Sequence, residues 1–180
     1  MNVSGADVRV ALGSDAAGIA AVYGPYVLDT AASFEQDPPD QDEIRRRMFA
    51  SPRMPWVVAE RGNVVVGYAY ASRHRERPAY RWSVEVPVYL VPSESGKGIG
   101  RALYSALLTV VRELGYVSAL AGVTLPNEPS VKLHEALGVV PVGVFRQVGF
   151  KHDRWHDVGW WERTLLVPPV TPSEPLPWPG

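Results

Sequence analysis

The sequence predicts one α+β domain, and three observations predict it. A chain of 180 residues is long enough to bury a full hydrophobic core. Segments of strand and helix periodicity follow one another in the order β-α-α-β-β-β-α-β-α-β-β. In the middle, from Ser83 to Leu108, a strand passes through a glycine-rich turn directly into an amphipathic helix. Composition fits a globular chain, with 46% hydrophobic and 21% charged residues. A net charge of −1 gives no reason to expect nucleic acid or an anionic membrane as partner. No apolar run approaches the ~20 residues of a membrane span. The opening MNVSGADVRV lacks the apolar core of a secretory signal. Zero cysteines exclude disulfides, thiolate metal sites and a Cys nucleophile. The cytoplasm is the default address.

In chain order, Val8 to Ala11 reads as a short strand. Ser14 is placed to cap a helix whose buried stripe is Ile19, Val22, Tyr23, Tyr26 and Val27. A polar connector, Asp29 to Phe34, ends on an aromatic. Pro38-Pro39 delivers the chain to a second helix, Asp40 to about Ala50, with acids first and Arg45, Arg46 and Arg47 later, as the helix dipole favours. Those arginines read as a solvated face. Trp56 to Glu60 and Val64 to Ala71 form a hairpin about Arg61-Gly62-Asn63. The loop Ser72 to Trp82 is dense in cations and aromatics, which suits an anionic substrate.

From Ser83 to Val91 the residues alternate, putting Val84, Val86, Val88 and Leu90 on one face and Glu85, Pro87 and Tyr89 on the other. Pro92-Ser93 breaks the strand. Ile99, Leu103, Leu107, Val110 and Leu114 then recur at helical spacing up to Gly115. A helix that opens just after glycines exposes unpaired N–H groups and the positive end of its dipole, which suits a diphosphate. A nucleotide-binding P-loop is excluded, because Val91 stands where its first Gly is needed and Gly98 where the Ser or Thr after Gly-Lys is needed.

Tyr116 to Thr124 is another strand. Asn127 caps a helix with Pro129 in its first turn, and Val131, His134 and Leu137 share one face up to Gly138. Val139 to Val148 and Asp157 to Val167 read as strands around a loop from Gly149 to His156. His152 and His156 lie four apart without a third ligand, so no metal is expected. Past Val167 the chain is proline-rich and reads as extended or disordered.

Ser95-Gly96-Lys97-Gly98-Ile99-Gly100 resembles the acetyl-CoA loop of the Gcn5-related N-acetyltransferases (the GNAT family), written Q/R-x-x-G-x-G/A, with Ser95 in place of Gln or Arg. The element order is similar to that family's over residues 7 to 166, leaving 167 to 180 as a C-terminal tail. The resemblance implies the GNAT fold: α/β/α layers around a mixed, mostly antiparallel sheet that splays at the cofactor site, a condition that tolerates Pro87. Several segments resemble the phosphinothricin N-acetyltransferases in particular: the Tyr80-x-Trp82-x-x-Glu85 spacing, the block from Leu125 to Gly138, and Phe150-Lys151-His152 with Trp155 to Gly159.

That resemblance implies acetyl transfer from acetyl-CoA to the amine of a small anionic amino acid such as phosphinothricin, demethylphosphinothricin or methionine sulfoximine, by a homodimer that uses no metal. It carries cofactor contacts to Val88, Tyr89, Leu90, Ser95, Gly96, Lys97, Gly98, Ile99, Gly100 and Asn127. Substrate contacts carry over to Arg75, Arg77, Tyr80 and Lys151, with Phe34 as a wall. Exposed aromatics for a dimer interface are expected at Trp155, Trp160 and Trp161. The chemistry fits independently of the name. An amine attacks a thioester only when unprotonated, and Glu85 can accept its proton directly or through a water. Backbone N–H groups of Val88 to Leu90 can face the developing oxyanion. His134 is a candidate acid or orienting group. Two rival readings remain: an acyl-CoA-binding module without catalysis, which would need neither Glu85 nor His134, and an enzyme for a peptide amine or polyamine.

Overall fold

A computed structural model describes residues 1–50 and 52–179. Strands β1 (Asn2–Val3) and β2 (Ala6–Val10) form an N-terminal hairpin ahead of helix α1 (Ala16–Asp29) and helix α2 (Gln41–Met48). The hairpin of β3 (Trp56–Arg61) and β4 (Val64–Tyr70) follows, closed by Gly62 and Asn63 at φ of 54° and 63°. This is the left-handed pair that a two-residue turn requires. Three short strands come next: β5 (Ser72–Arg73), β6 (Ser83–Glu85) and β7 (Val88–Leu90). The rest is helix α3 (Ile99–Glu113), β8 (Ser118–Leu125), α4 (Glu128–Glu135), β9 (Val140–Lys151) and β10 (Arg154–Thr164). No helix among the described residues is long and apolar enough to cross a membrane.

The strands make two five-stranded sheets, β1-β2-β3-β4-β7 and β5-β6-β8-β10-β9, with every pair antiparallel except β6 with β8. Strand β3 is buried on both faces, and its alternation assigns the layers. Trp56 and Val58 pack with Ile19, Val22 and Tyr23 of α1 and Ile44 of α2, while Val57 and Ala59 join the core around α3. Helix α3 buries Ile99, Leu103 and Leu107 as its spacing predicts, and adds Tyr104, Leu108 and Val111 to a wider stripe. Each such aliphatic side chain withdrawn from water contributes about 1.5–3 kcal/mol.

The structure departs from the sequence reading in several places. Ser14 does not cap α1; Asp15 holds that position, accepting the Leu12 N–H at 2.7 Å while Arg9 clamps its carboxylate. Desolvation works against the charge on Asp15, but the Arg9 hydrogen bond and the Leu12 N–H hold its pKa below the usual carboxylate value. The expected strand from Ser83 to Val91 is two strands in different sheets, so Glu85 and Tyr89 do not share a strand face. Pro87 sits at the break, where its missing N–H leaves no gap in a ladder. The stretch from Gly149 to His156 is not a loop: β9 and β10 run through it and turn on His152 and Asp153 alone, both left-handed at φ of 49° and 56°. Of the tryptophans expected outside, Trp155 is exposed, whereas Trp161 is buried and Trp160 half-buried. The residues after Thr164 lie along the body: Leu176 N–H reaches Leu114 O at 2.8 Å, and Trp82 Nε1 reaches Ser173 O at 2.7 Å. Gly180, the last residue of the expected tail, lies outside the described residues.

Candidate active site

Where the two sheets part, β7 and β8 diverge and leave a cavity of about 710 Å³. Its walls are Tyr89 and Leu90 on one side and Leu120 to Thr124 on the other. Glu85 stands at the break between the sheets, and Gly96, Gly98 and Gly100 lie on the same cavity. Carboxylate and glycine loop, adjacent in sequence, therefore face one space.

Hydrogen bonding along β7 decides which backbone groups are available there. Tyr70 N–H reaches Pro87 O at 3.2 Å and Val91 N–H reaches Val66 O at 2.9 Å, so residues 87 and 91 point toward β4. Alternation sends Tyr89 the same way and turns the N–H groups of Val88 and Leu90 to the cleft. Leu90 N–H lies 3.4 Å from the Tyr26 hydroxyl, which itself donates to Leu90 O at 2.6 Å. Val88 N–H is thus the better placed donor for an acyl oxygen, and the Tyr89 N–H is committed to the sheet.

The glycine loop is held from behind. Ser95 follows a single tight turn, Pro92–Glu94, whose Glu94 is buried. Arg61 Nη2 meets Glu94 Oε2 at 2.9 Å, and Lys97 Nζ lies 3.3 Å from the same oxygen. Burial opposes ionisation of Glu94, yet these two cations hold its pKa below the ordinary value. Ser4 Oγ donates to Lys97 O at 2.8 Å, so the unpredicted N-terminal hairpin braces the loop. Gly98 is the N-cap of α3 at φ 81°, a left-handed backbone that leaves the first N–H groups of the helix facing outward. Gly100 allows close packing, since a Cβ there would lie 3.0 Å from Leu90. Ile99 is fully buried, so only its N–H can serve a ligand. Asn127 lines the cavity and caps α4, its Oδ1 accepting the Ser130 N–H at 3.2 Å. Arg101, in the first turn of α3 and exposed on the cavity rim, was not singled out in the sequence; its position one residue past the last loop glycine is the signal that could have found it.

His134 lines the far wall and is buried. Its Nδ1 lies 2.6 Å from Ser130 O, an atom that can only accept, so Nδ1 carries the proton. Burial pushes the imidazole pKa down, against the pull of that carbonyl. The ring is therefore neutral at neutral pH and its Nε2 is an acceptor. That geometry suits an orienting group or a base rather than an acid, the sequence having left acid and orienting group both open.

The expected substrate residues are not brought together. Phe34 lines the cavity. Lys151 is withdrawn from it: the side chain is buried, and its ammonium donates to Val27 O at 2.5 Å, Ser33 O at 2.7 Å and Glu35 O at 2.8 Å. All three donors are committed, so Lys151 fastens the connector that carries Phe34 and offers no free charge to a substrate. Arg75, Arg77 and Tyr80 lie on the exposed loop between β5 and β6, outside the cavity wall. Tyr80 packs edge-on to His74 at 5.7 Å, and His74 Nδ1 lies 2.9 Å from Glu85 Oε1. The sequence reading passed over His74, which sits among the loop's arginines with no motif around it.

Comparison with known proteins identifies the family. Residues 24–139 match the model of the acetyltransferase (GNAT) family. A phosphinothricin N-acetyltransferase of Streptomyces viridochromogenes is 38% identical over 175 residues, covering 94% of each chain. An L-methionine sulfoximine/L-methionine sulfone acetyltransferase of Salmonella typhimurium is 35% identical over 154 residues, covering 84% of this chain and 90% of the other. Among solved structures, a GNAT superfamily phosphinothricin acetyltransferase of Sinorhizobium meliloti in complex with acetyl-CoA superimposes with a TM-score of 0.83 at 38% identity, over 89% of this chain and 88% of that one. With its two sheets parted over a glycine-capped helix, this chain belongs to the GNAT family of acetyltransferases.

Proposed function

We propose that the protein moves the acetyl group of acetyl-CoA onto the free amine of a small anionic amino acid, with Glu85 as general base. One observation carries the reading: Glu85, the Val88 N–H edge and the Gly96–Gly100 donors line a single cavity. Residues 96–100 and the start of α3 suit the cofactor's diphosphate, since the left-handed Gly98 frees N–H groups that any Cβ-bearing residue would strain. Acetyl-CoA supplies the thioester. Glu85 takes the proton that the amine must lose before it attacks, and Val88 N–H meets the charge growing on the acyl oxygen. His134 Nε2 is placed to accept a hydrogen bond in the same cavity. A module that only bound acyl-CoA would have no use for the carboxylate at the break between the sheets.

The relatives named for phosphinothricin and methionine sulfoximine support an amino-acid acceptor. Arg75 and Arg77, on the exposed loop that carries His74, supply the positive charge from outside the cavity wall, and the Lys151 ammonium is held by three carbonyls. Arginine's planar fork grips a carboxylate or phosphinate through two hydrogen bonds. Each such charged bond contributes about 1.5–3 kcal/mol, so an acceptor lacking the anion should lose one to two decades in kcat/KM. Thiol release measured with phosphinothricin, demethylphosphinothricin, methionine sulfoximine, leucine, spermidine and a peptide amine tests this. The first three should lead; equal turnover of spermidine and phosphinothricin would end the reading.

We further read the protein as a homodimer. Strand β9 is the edge of its sheet and exposes Val140, Val142, Val144, Phe145, Val148 and Phe150, with Trp155 beside Phe150 across the hairpin. An uncovered apolar edge strand is a hazard that proteins cover. Sedimentation at micromolar concentration should give twice the 19.8 kDa chain mass. A monomer there would refute the dimer.

A further inference from the structure

Glu85 does not stand alone on the cavity wall. Its Oε1 is 2.9 Å from Nδ1 of His74, eleven residues earlier and just past the end of β5, the antiparallel neighbour of β6. The His74 side chain is 15% exposed and that of Glu85 32%, so the pair is partly shielded from water. Two aromatic rings hold the imidazole edge-on, Tyr80 from the loop and Trp160 from β10, each with its centroid 5.7 Å away. The facing titratable groups are Glu85 and Tyr80, and the charged chain neighbours Arg73 and Arg75 point their exposure to solvent.

We propose that His74 is a positioning residue for the base. A carboxylate on the wall of an open cavity has free rotation about its last bond. The Nδ1–H of His74 removes that freedom by holding Oε1, which leaves Oε2 as the oxygen that meets the acceptor amine. In the chemical step the amine N–H bond breaks, an O–H bond forms at Oε2, and the nitrogen lone pair is released for attack; His74 neither gains nor loses a proton. This rests on Glu85 being the base, and the experiment keeps the two claims apart.

His74→Phe keeps an aromatic ring between Tyr80 and Trp160 and removes the donor. His74→Asn keeps a donor near the position of Nδ1 and removes the rest of the ring. The expected result is a kcat for His74→Phe about 10- to 100-fold below native, the scale of one hydrogen bond to a charged group, with the acetyl-CoA KM unchanged. His74→Asn should recover most of that loss, again with the acetyl-CoA KM unchanged. His74→Gln, whose donor sits one bond further out, should recover less than Asn, which keeps the test decisive if the Phe variant does not fold. Native kcat in His74→Phe, or equal loss in the Asn and Phe variants, would overturn the inference. If Glu85→Gln is impaired while His74→Phe is not, only the role of His74 falls. If Glu85→Gln is unimpaired, the base assignment falls with it.

Discussion

Glu85→Gln is expected to lower kcat by roughly 10²–10⁴ at neutral pH, the range that general-base catalysis contributes. The amine of a free amino acid is mostly protonated there, so a step that uses its lone pair must first place the proton somewhere. Glu85 is the carboxylate on the cavity wall, its Oε1 engaged by His74 at 2.9 Å. Glutamine keeps the length and planarity of the side chain and can still accept the His74 hydrogen bond, but it cannot take a proton. Acetyl-CoA affinity should stay where it is, because the diphosphate donors come from another segment. Raising the pH should restore part of the lost rate, since deprotonated amine then reaches the site without help. Rates of the native and variant proteins across pH 6 to 10 would check both halves. A near-native rate at pH 7 would move the role to His134, whose Nε2 accepts from the same cavity.

How much of this was legible in the sequence depended on how local each signal was. The strand from Trp56 to Glu60, the turn at Gly62-Asn63 and the stripe of α3 are properties of neighbouring residues, and the structure keeps all three. Glu85 and the glycine loop were legible because one short stretch carries both. The break at Val86-Pro87 had a local sign in the proline, but periodicity continues across it, so face arguments drawn over the whole strand failed for Tyr89. The tight turn at His152-Asp153 was hidden because polar residues, not glycines, take the left-handed backbone there.

The site residues that misled were those whose partners are far away in the chain. Lys151 reads as a free cation next to aromatics, yet its ammonium is taken by carbonyls 116 to 124 residues earlier. Nothing near Lys151 announces that cage. His74 has the opposite history: among three arginines it reads as one more polar loop residue, and only the pairing of β5 with β6 brings it to Glu85. His134 could be placed on the Val131–Leu137 face of its helix from spacing, but the direction of its proton depends on the Ser130 carbonyl one turn before it.

Gly98→Val should raise the acetyl-CoA KM by about 10- to 100-fold, the loss of one charged hydrogen bond at the diphosphate. Two effects combine. At φ 81° a β-branched residue is an outlier whose backbone strain amounts to about 1–2 kcal/mol, relieved by rotating the loop back toward ordinary φ. That rotation turns the Gly98 and Ile99 N–H groups away from the direction they share at the start of α3. A Cβ at Gly98 has room where it stands, its nearest neighbour being Val3 at 3.6 Å, so the expected damage comes from the backbone and not from a clash. Gly115→Val separates strain from function. Gly115 has φ 89° at the other end of α3, and a Cβ there meets only Pro175 at 3.9 Å. That variant should lose thermal stability while keeping the native acetyl-CoA KM, whereas Gly98→Val should lose both. Isothermal titration of acetyl-CoA into each folded variant, with melting temperatures measured alongside, reads the two effects separately. Native acetyl-CoA affinity in a folded Gly98→Val protein would mean that residues 96–100 do not hold the diphosphate.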